Sequence, residues 1–450
     1  MRYAVALAVA LACLQAGPAQ SAGTTDTGAA ETLARRCDEA AASPFDLDRP
    51  VGVPGVPAHE IDPAIAIPAC MAAVRAAPEV PRLWYQLARA DLAARRFDEF
   101  RDMAARAEAL GHAGGAHALG QSHEAGHDGA RDPAAARKLY EKAAKAGFAP
   151  AMVDLGVMLE DGTGGSIDVA AANGWYLKAA EAGELAAMNL LGDNLVAGNG
   201  IAQDAGTGAR WYRRAAEQGD GFAMASLGLL LELGNGVPRN LKEANGWYRK
   251  SAAAGNRRGM RLLALNLETG NGLQKDSRAA ISWYKRAIEA GDVMSMRLIS
   301  FSYFNGTGVP KDPQEGFYWL RRAAEAGDTA AMMTLGLRYA AGSDVPLDFE
   351  RGLGWLRKAA ERGDTRAGAA LAVLSEAPPG QRACQNVLGQ YHDLGTEYDA
   401  LPVRFSRGHP AFRAVCTGFS GLKENDVRRC HLLNPDGAGD FVRKVRKQCR

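Results

Sequence analysis

Tryptophan recurs every 36 residues at Trp175, Trp211, Trp247, Trp283, Trp319 and Trp355. Glycine keeps the same spacing through Gly111, Gly147, Gly183, Gly219, Gly255, Gly291, Gly327 and Gly363. A period held over that length means that each unit is one supersecondary element stacked on its neighbours. The 450 residues therefore need not divide into the two or three domains that such a length ordinarily implies, because a repeat array grows by adding units.

The regular units read as a helix A, a glycine turn and a helix B. Met152, Leu155, Gly156 and Leu159 occupy columns that return as Met188, Leu191, Gly192 and Leu195, and again as Met332, Leu335, Gly336 and Tyr339. Those offsets place them on one helical face, and the small residue lets helix B approach closely. Turns follow at Gly162-Thr163-Gly164, Gly198-Asn199-Gly200, Gly234-Asn235-Gly236, Gly270-Asn271-Gly272 and Gly306-Thr307-Gly308, where glycine makes positive φ inexpensive. Asp132, Asp168, Asp204, Asn240, Asp276, Asp312 and Asp348 then stand where an N-cap is needed, two of them followed by proline. Trp175 and Tyr176, with Ala179 and Ala180, form the expected core face of helix B.

Outside the repeats the character changes. Residues 1–22 carry Arg2, an apolar run from Tyr3 to Leu14 and a small-residue stretch ending at Ala22. They read as a secretory signal peptide, with cleavage expected between Ala19 and Ala22 and a periplasmic or secreted product. Lipidation at Cys13 as an outer-membrane lipoprotein is the weaker alternative, since Ala10 stands where the lipobox prefers Leu. No later run is apolar for long enough to span a bilayer. Residues 23–81 form a Pro-rich entry segment; its prolines fall between Ser43 and Pro81, a stretch expected to be mostly extended with a short helix near Ile61–Val74. Residues 82–113, with Trp84, Leu87, Ala88, Asp91, Phe97 and Phe100, resemble a degenerate tetratricopeptide hairpin. The repeat array runs over 114–374 as seven units and a capping helix, and 375–450 form a C-terminal cap.

Six cysteines remain without Cys13: Cys37 and Cys70 before the repeats, and Cys384, Cys416, Cys430 and Cys449 after them. That distribution predicts one disulfide at the first end and two at the other, formed in an oxidising compartment, with three pairings open for the last four. The formal charge is +2, and losing Arg2 with the leader leaves +1, with acids and bases interspersed. A nucleic-acid binder usually shows a basic stripe, so this balance argues against one.

The 36-residue period, the A-x-x-L-G column with its G-x-G turn, and the W-Y-x-x-A-A-x-x-G signature of Trp211–Gly219 resemble Sel1-like repeats. The resemblance implies an all-α, right-handed α-solenoid related to tetratricopeptide arrays, here with disulfide-braced terminal caps. It also implies an adaptor or regulator of the bacterial envelope that binds and does not catalyse. One branch, the cysteine-rich Helicobacter proteins, is associated with β-lactam binding or hydrolysis and has a disulfide in each repeat. The repeats of this chain contain no cysteine, which argues against carrying that activity over.

Two motif fragments keep an envelope hydrolase, β-lactamase-like or metal-dependent, as the alternative, and a basic tail stands apart from them. His123-Glu124-Ala125-Gly126-His127 spells the zincin H-E-x-x-H, with His112 and His117 nearby, but Gly126 lies in the column where helix A ends, so His127 should fall in the turn. Ser282-Trp283-Tyr284-Lys285 spells S-x-x-K, yet its middle residues are core columns and the partner motifs S-D-N and K-T-G are missing. The tail Phe441–Arg450 alternates apolar and basic residues, compatible with a membrane surface or an anionic glycan, or with a solvated helix held by Cys449. Neither a cofactor nor a metal ion is expected.

A protein or peptide partner is expected in the concave groove, with peptidoglycan or another glycan as a further option. The groove columns are those of 153, 157, 160 and 161, which vary while the core columns do not. They supply Asn189 and Asp193, then Leu229, Glu232 and Leu233, then Arg261, Leu265 and Glu268, then Arg297, Phe301, Phe304 and Asn305. Arg261, Arg297, Phe301 and Phe304 stand out as an arginine and aromatic cluster of the kind that anchors interfaces.

Overall fold

A computed structural model describes residues 25–127, 129–341 and 348–375. The leader at 1–22, Cys384, Cys416, Cys430, Cys449 and the basic tail lie outside the described residues. Among the described residues every regular element is helical: 19 α-helices and one short 3-10 turn, with no strand. The architecture is the expected all-α solenoid of helix-turn-helix units.

The chain divides after Trp211 into two compact units. The first holds α1 (Thr25–Ala41), α2 (Pro63–Ala76), α3 (Pro81–Ala93), α4 (Phe97–Ala109), α5 (Ala113–Ala125), α6 (Pro133–Lys145), α7 (Ala149–Asp161), α8 (Val169–Glu181) and α9 (Leu185–Ala197). The division falls inside α10 (Ala205–Glu217). The second holds α11 (Gly221–Leu233), α12 (Leu241–Ala253), α13 (Arg257–Thr269), α14 (Ser277–Glu289), α15 (Val293–Asn305), α16 (Pro313–Glu325), α17 (Thr329–Ala341), α18 (Phe349–Glu361) and α19 (Thr365–Ser375). Within each unit every helix packs on the next.

The boundaries follow from local chemistry. Each B helix begins at the predicted cap; for example, the Asp168 carboxylate accepts the Ala171 N–H at 2.9 Å and Asn240 accepts that of Glu243 at 3.1 Å. The A helices α5, α7, α9, α11, α13 and α15 each end on a left-handed glycine such as Gly162 (φ 80°) or Gly270 (φ 82°), a conformation that releases the chain into the turn. The degenerate hairpin lacks this glycine and bends at Arg95 instead, the one non-glycine residue with positive φ among those described (58°).

Helix B buries its tyrosine most completely. Tyr140, Tyr176, Tyr248 and Tyr284 are fully buried, each lying against the small-residue column of the preceding helix. A Cβ on Gly120 would meet the Tyr140 ring at 2.6 Å, and one on Gly228 would meet Tyr248 at 2.6 Å. The neighbouring tryptophans are less enclosed than a core assignment predicts. Trp175, Trp283, Trp319 and Trp355 are half-buried and only Trp247 is buried. A cation three residues on covers each ring: Lys178 on Trp175 at 4.2 Å, Lys250 on Trp247 at 4.2 Å, Arg286 on Trp283 at 4.8 Å, Arg322 on Trp319 at 5.5 Å and Lys358 on Trp355 at 4.5 Å. The indole thus packs on one side and meets a cation on the other.

The N-terminal segment adds a helix on which the proline pattern is silent. α1 precedes the prolines that begin at Pro44, and α2, close to the short helix expected near Ile61–Val74, accommodates Pro68 in its interior. Cys37 on α1 and Cys70 on α2 are disulfide-bonded and fully buried. Around them Ala34, Ala41, Ala66, Ala73, Leu83 and Leu87 make the core of an N-terminal cap. Buried Asp38 anchors that cap to α3, accepting from Gln86 Nε2 at 2.7 Å and from Arg82 Nε at 3.2 Å.

Candidate partner-binding face

The sequence-selected residues fall in both units. Asn189 is half-buried and Asp193 exposed on α9, in the first unit; the others lie on α11, α13 and α15 of the second.

Glu232 and Glu268 are engaged internally. Tyr248 Oη donates to Glu232 Oε2 at 2.7 Å, Asn266 Nδ2 donates to the same oxygen at 3.3 Å, and Asn271 Nδ2 donates to Oε1 at 2.7 Å. Glu268 receives Tyr284 Oη at 2.8 Å and Ser302 Oγ at 3.1 Å. Each carboxylate therefore ties its own hairpin to the next one. Burial, together with the adjacent carboxylate, pushes both tyrosine hydroxyls far above their ordinary range, so they remain donors. The first unit repeats the arrangement: Tyr140 donates to Glu124 at 2.7 Å and Tyr176 to Glu160 at 2.9 Å. Phe304 stands in the glutamate column where leucine, Leu320, replaces the tyrosine. It is 6% exposed and belongs to the apolar core, with Arg338 over its ring at 3.7 Å. A polar latch has been exchanged for an apolar one, both members together.

Arg261, Arg297, Leu265 and Phe301 form a different group. Arg261 and Leu265 are one turn apart on α13, and Arg297 and Phe301 one turn apart on α15, so each pair shares a face. Arg261 Nε donates to Asp292 Oδ2 at 3.2 Å, while Asp292 Oδ1 accepts the Ser295 N–H at 2.7 Å. Arg297 Nε likewise donates to Asp328 at 3.2 Å, and Asp328 Oδ1 accepts the Ala331 N–H at 2.6 Å. Each aspartate caps one A helix with one oxygen and holds an arginine of the preceding A helix with its carboxylate. These second caps went unread in the sequence, although an acid or amide right after the closing glycine marks them at Asp220, Asn256, Asp292, Asp328 and Asp364. Leu265 and Phe301 are half-buried, Asn305 is exposed, and Leu233, Met294 and Leu337 on neighbouring A helices are 65%, 41% and 40% exposed.

The catalytic fragments come apart. α5 ends at left-handed Gly126, and His127 sits in the turn with its ring stacked on Phe97 at 4.2 Å, while Glu124 accepts from Tyr140. His123 and His127 thus do not stand one above the other on a helix. Ser282 Oγ donates to the Arg278 carbonyl at 3.3 Å along α14, and the intervening Tyr284 is core. His117 Nε2 lies 2.7 Å from Asp154 Oδ2. Burial, with the nearby Asp154 charge, raises the Glu184 carboxyl above its usual range. Asp46, Asp48 and His112 offer ligand atoms within 4.8 Å of one another. His112 Nδ1, however, accepts the Gly115 N–H at 3.2 Å, which assigns the ring proton to Nε2, 3.1 Å from Asp46 Oδ1. A metal on Nε2 would require the proton on the nitrogen that already faces a donor.

A model of the Sel1 repeat matches residues 113–148, 149–184, 185–220, 221–256, 258–292, 293–328 and 329–364, more than half of the chain. The chain belongs to the Sel1 repeat family. Among solved structures it is similar to a protective antigen of uropathogenic Escherichia coli strains displaying an SLR fold, at 25% identity over 79% of this chain and 77% of that one, with a TM-score of 0.54. A Sel1 repeat protein from Oxalobacter formigenes is 31% identical over 51% of this chain and 96% of its own, with a TM-score of 0.46. No curated protein matches. Sel1 repeat proteins generally mediate protein–protein interaction and are typically non-enzymatic.

Proposed function

We propose that this Sel1 repeat protein is an exported scaffold or regulator that holds a protein or peptide partner on the A-helix face of its second unit. One observation carries the reading: α13 and α15 each present an arginine one turn before a half-buried apolar side chain, Arg261 with Leu265 and Arg297 with Phe301, beside the exposed Met294. Apolar area flanked by guanidinium groups is the composition of interface anchors. Export is supported by the leader-like residues 1–22 and by the Cys37–Cys70 disulfide, a bond that persists in oxidising compartments. In-cell crosslinking followed by pull-down tests the reading, comparing the wild type with an Arg261→Glu/Arg297→Glu variant of matched helical content. Loss of specific partners from the variant is the expected result, and recovery of the same partners at the same yield overturns it.

A further inference from the structure

Arg261 and Arg297 are not ordinary surface arginines. Each is fixed through Nε by a buried capping carboxylate, Asp292 at 8% and Asp328 at 10% side-chain exposure. The terminal nitrogens of both guanidinium groups make no hydrogen bond among the described residues. An arginine held in this way has already given up much of its rotamer freedom, and its remaining N–H fork is the part suited to a planar anion. The two forks sit on successive A helices, α13 and α15, each one turn from an apolar side chain.

The carboxylates of this region are already engaged. Asp292 and Asp328 offset Arg261 and Arg297, and Glu232 and Glu268 accept from Tyr248 and Tyr284. Arg257 and Arg258 at the start of α13 donate to the Gly291 carbonyl at 3.2 Å and to Ser226 Oγ at 3.3 Å. A purely apolar segment would leave the two forks unmatched.

We infer that this face binds an acidic, apolar peptide segment of another protein, with carboxylates on the terminal nitrogens of Arg261 and Arg297 and apolar side chains on Leu265 and Phe301. The inference rests on the proposed binding role and specifies its ligand chemistry. Leu265 and Phe301 give burial, and the paired forks give sign and register.

Selection of a random 12-residue peptide display library on the full chain tests it. Binding of the most enriched peptide, fluorescently labelled, is then measured by anisotropy to the wild type, to Arg261→Lys/Arg297→Lys and to Leu265→Ser/Phe301→Ser. The lysine variant keeps both charges and can still reach the aspartates, so it should fold; circular dichroism melts check both variants. The expected result is a pool rich in Asp and Glu beside Leu and Phe, binding that weakens about tenfold in each variant, and further weakening as salt rises. A neutral or basic pool, or an acidic peptide held equally by the lysine variant, overturns the inference. If that pool still fails to bind Leu265→Ser/Phe301→Ser, the broader binding role stands without the arginine clamp. A library that yields no enriched peptide overturns both.

Discussion

Glu232→Gln isolates the latch that joins successive hairpins of the second unit. The substitution is nearly isosteric, so packing around Gly228 and Tyr248 is kept. What changes is the number of acceptors. The carboxylate takes three hydrogen bonds, from Tyr248, Asn266 and Asn271. An amide offers one oxygen and turns an N–H toward groups that also donate. Hydrogen bonds to a charged group contribute roughly 1.5–3 kcal/mol each, and an orphaned buried donor costs a similar amount. With the amide oxygen in the place of Oε2, the bonds from Tyr248 and Asn266 are kept and the one from Asn271 is lost, so the expected loss is about 1.5–3 kcal/mol. Tyr248→Phe alone should cost about 1–2 kcal/mol, and the double variant less than the sum, because the tyrosine donor acts through the carboxylate. Repeat arrays open in segments, so hydrogen exchange on peptides from α11, α12 and α13 is the appropriate assay, alongside urea denaturation. Faster exchange should be confined to those helices and their neighbours. A Glu232→Gln protein within about 0.5 kcal/mol of wild type, or full additivity with Tyr248→Phe, would refute the latch.

Other perturbations reach different parts of the fold. Cys37→Ser/Cys70→Ser opens a disulfide with a sequence separation of 33 and should cost the N-terminal cap about 3–4 kcal/mol, measured as a lowered melting temperature that reductant reproduces in the wild type. Asp91 is 2% exposed, and burial raises its carboxyl to about 6. Its ionised form thus destabilises the folded state above that pH, and the cost fades as the pH falls toward the ordinary carboxylate value. Asp91→Asn should accordingly be more stable than wild type by about 1–2 kcal/mol near pH 7.5, after allowance for solvent screening, with no advantage near pH 4; a pH series of melts decides. Gly164 has φ 70° and faces the Pro133 carbonyl, so Gly164→Ala should lose about 2–4 kcal/mol in denaturation. Arg95→Gly, at an exposed left-handed position, should gain up to about 1 kcal/mol in the same assay.

Features dictated by one residue and its near neighbours were the ones legible in the chain. Asp132, Asp168 and Asp276 announce helix starts, Gly162 and Gly270 announce ends, and the shared spacing fixes which faces meet. The placement of His127 in a turn, which separates it from His123, followed from the column of Gly126 alone. Less legible were features decided by two distant residues at once. Variation among Glu232, Glu268 and Phe304 invites a recognition reading, yet it tracks the buried partners Tyr248, Tyr284 and Leu320. The pairing is visible only when both columns are compared across units. Helix α1 was obscured for another reason: the prolines that begin at Pro44 say nothing about the Ala-, Glu- and Arg-rich residues before them, whose intrinsic preference is helical. The role of Asp292 and Asp328 in holding Arg261 and Arg297 depended on contacts between successive A helices, which no single-helix periodicity contains.

The central claim, that partners are held on the A-helix face of the second unit, is tested most directly by site-specific photo-crosslinking. A crosslinking side chain at Leu265 on α13 is compared with one at exposed Lys242 on α12, both in otherwise wild-type protein expressed in cells. Discrete crosslinked partners are expected from position 265, competed by an acidic, apolar peptide, and none in common from position 242. Equal crosslinking from both positions, or crosslinking from position 242 alone, would contradict it.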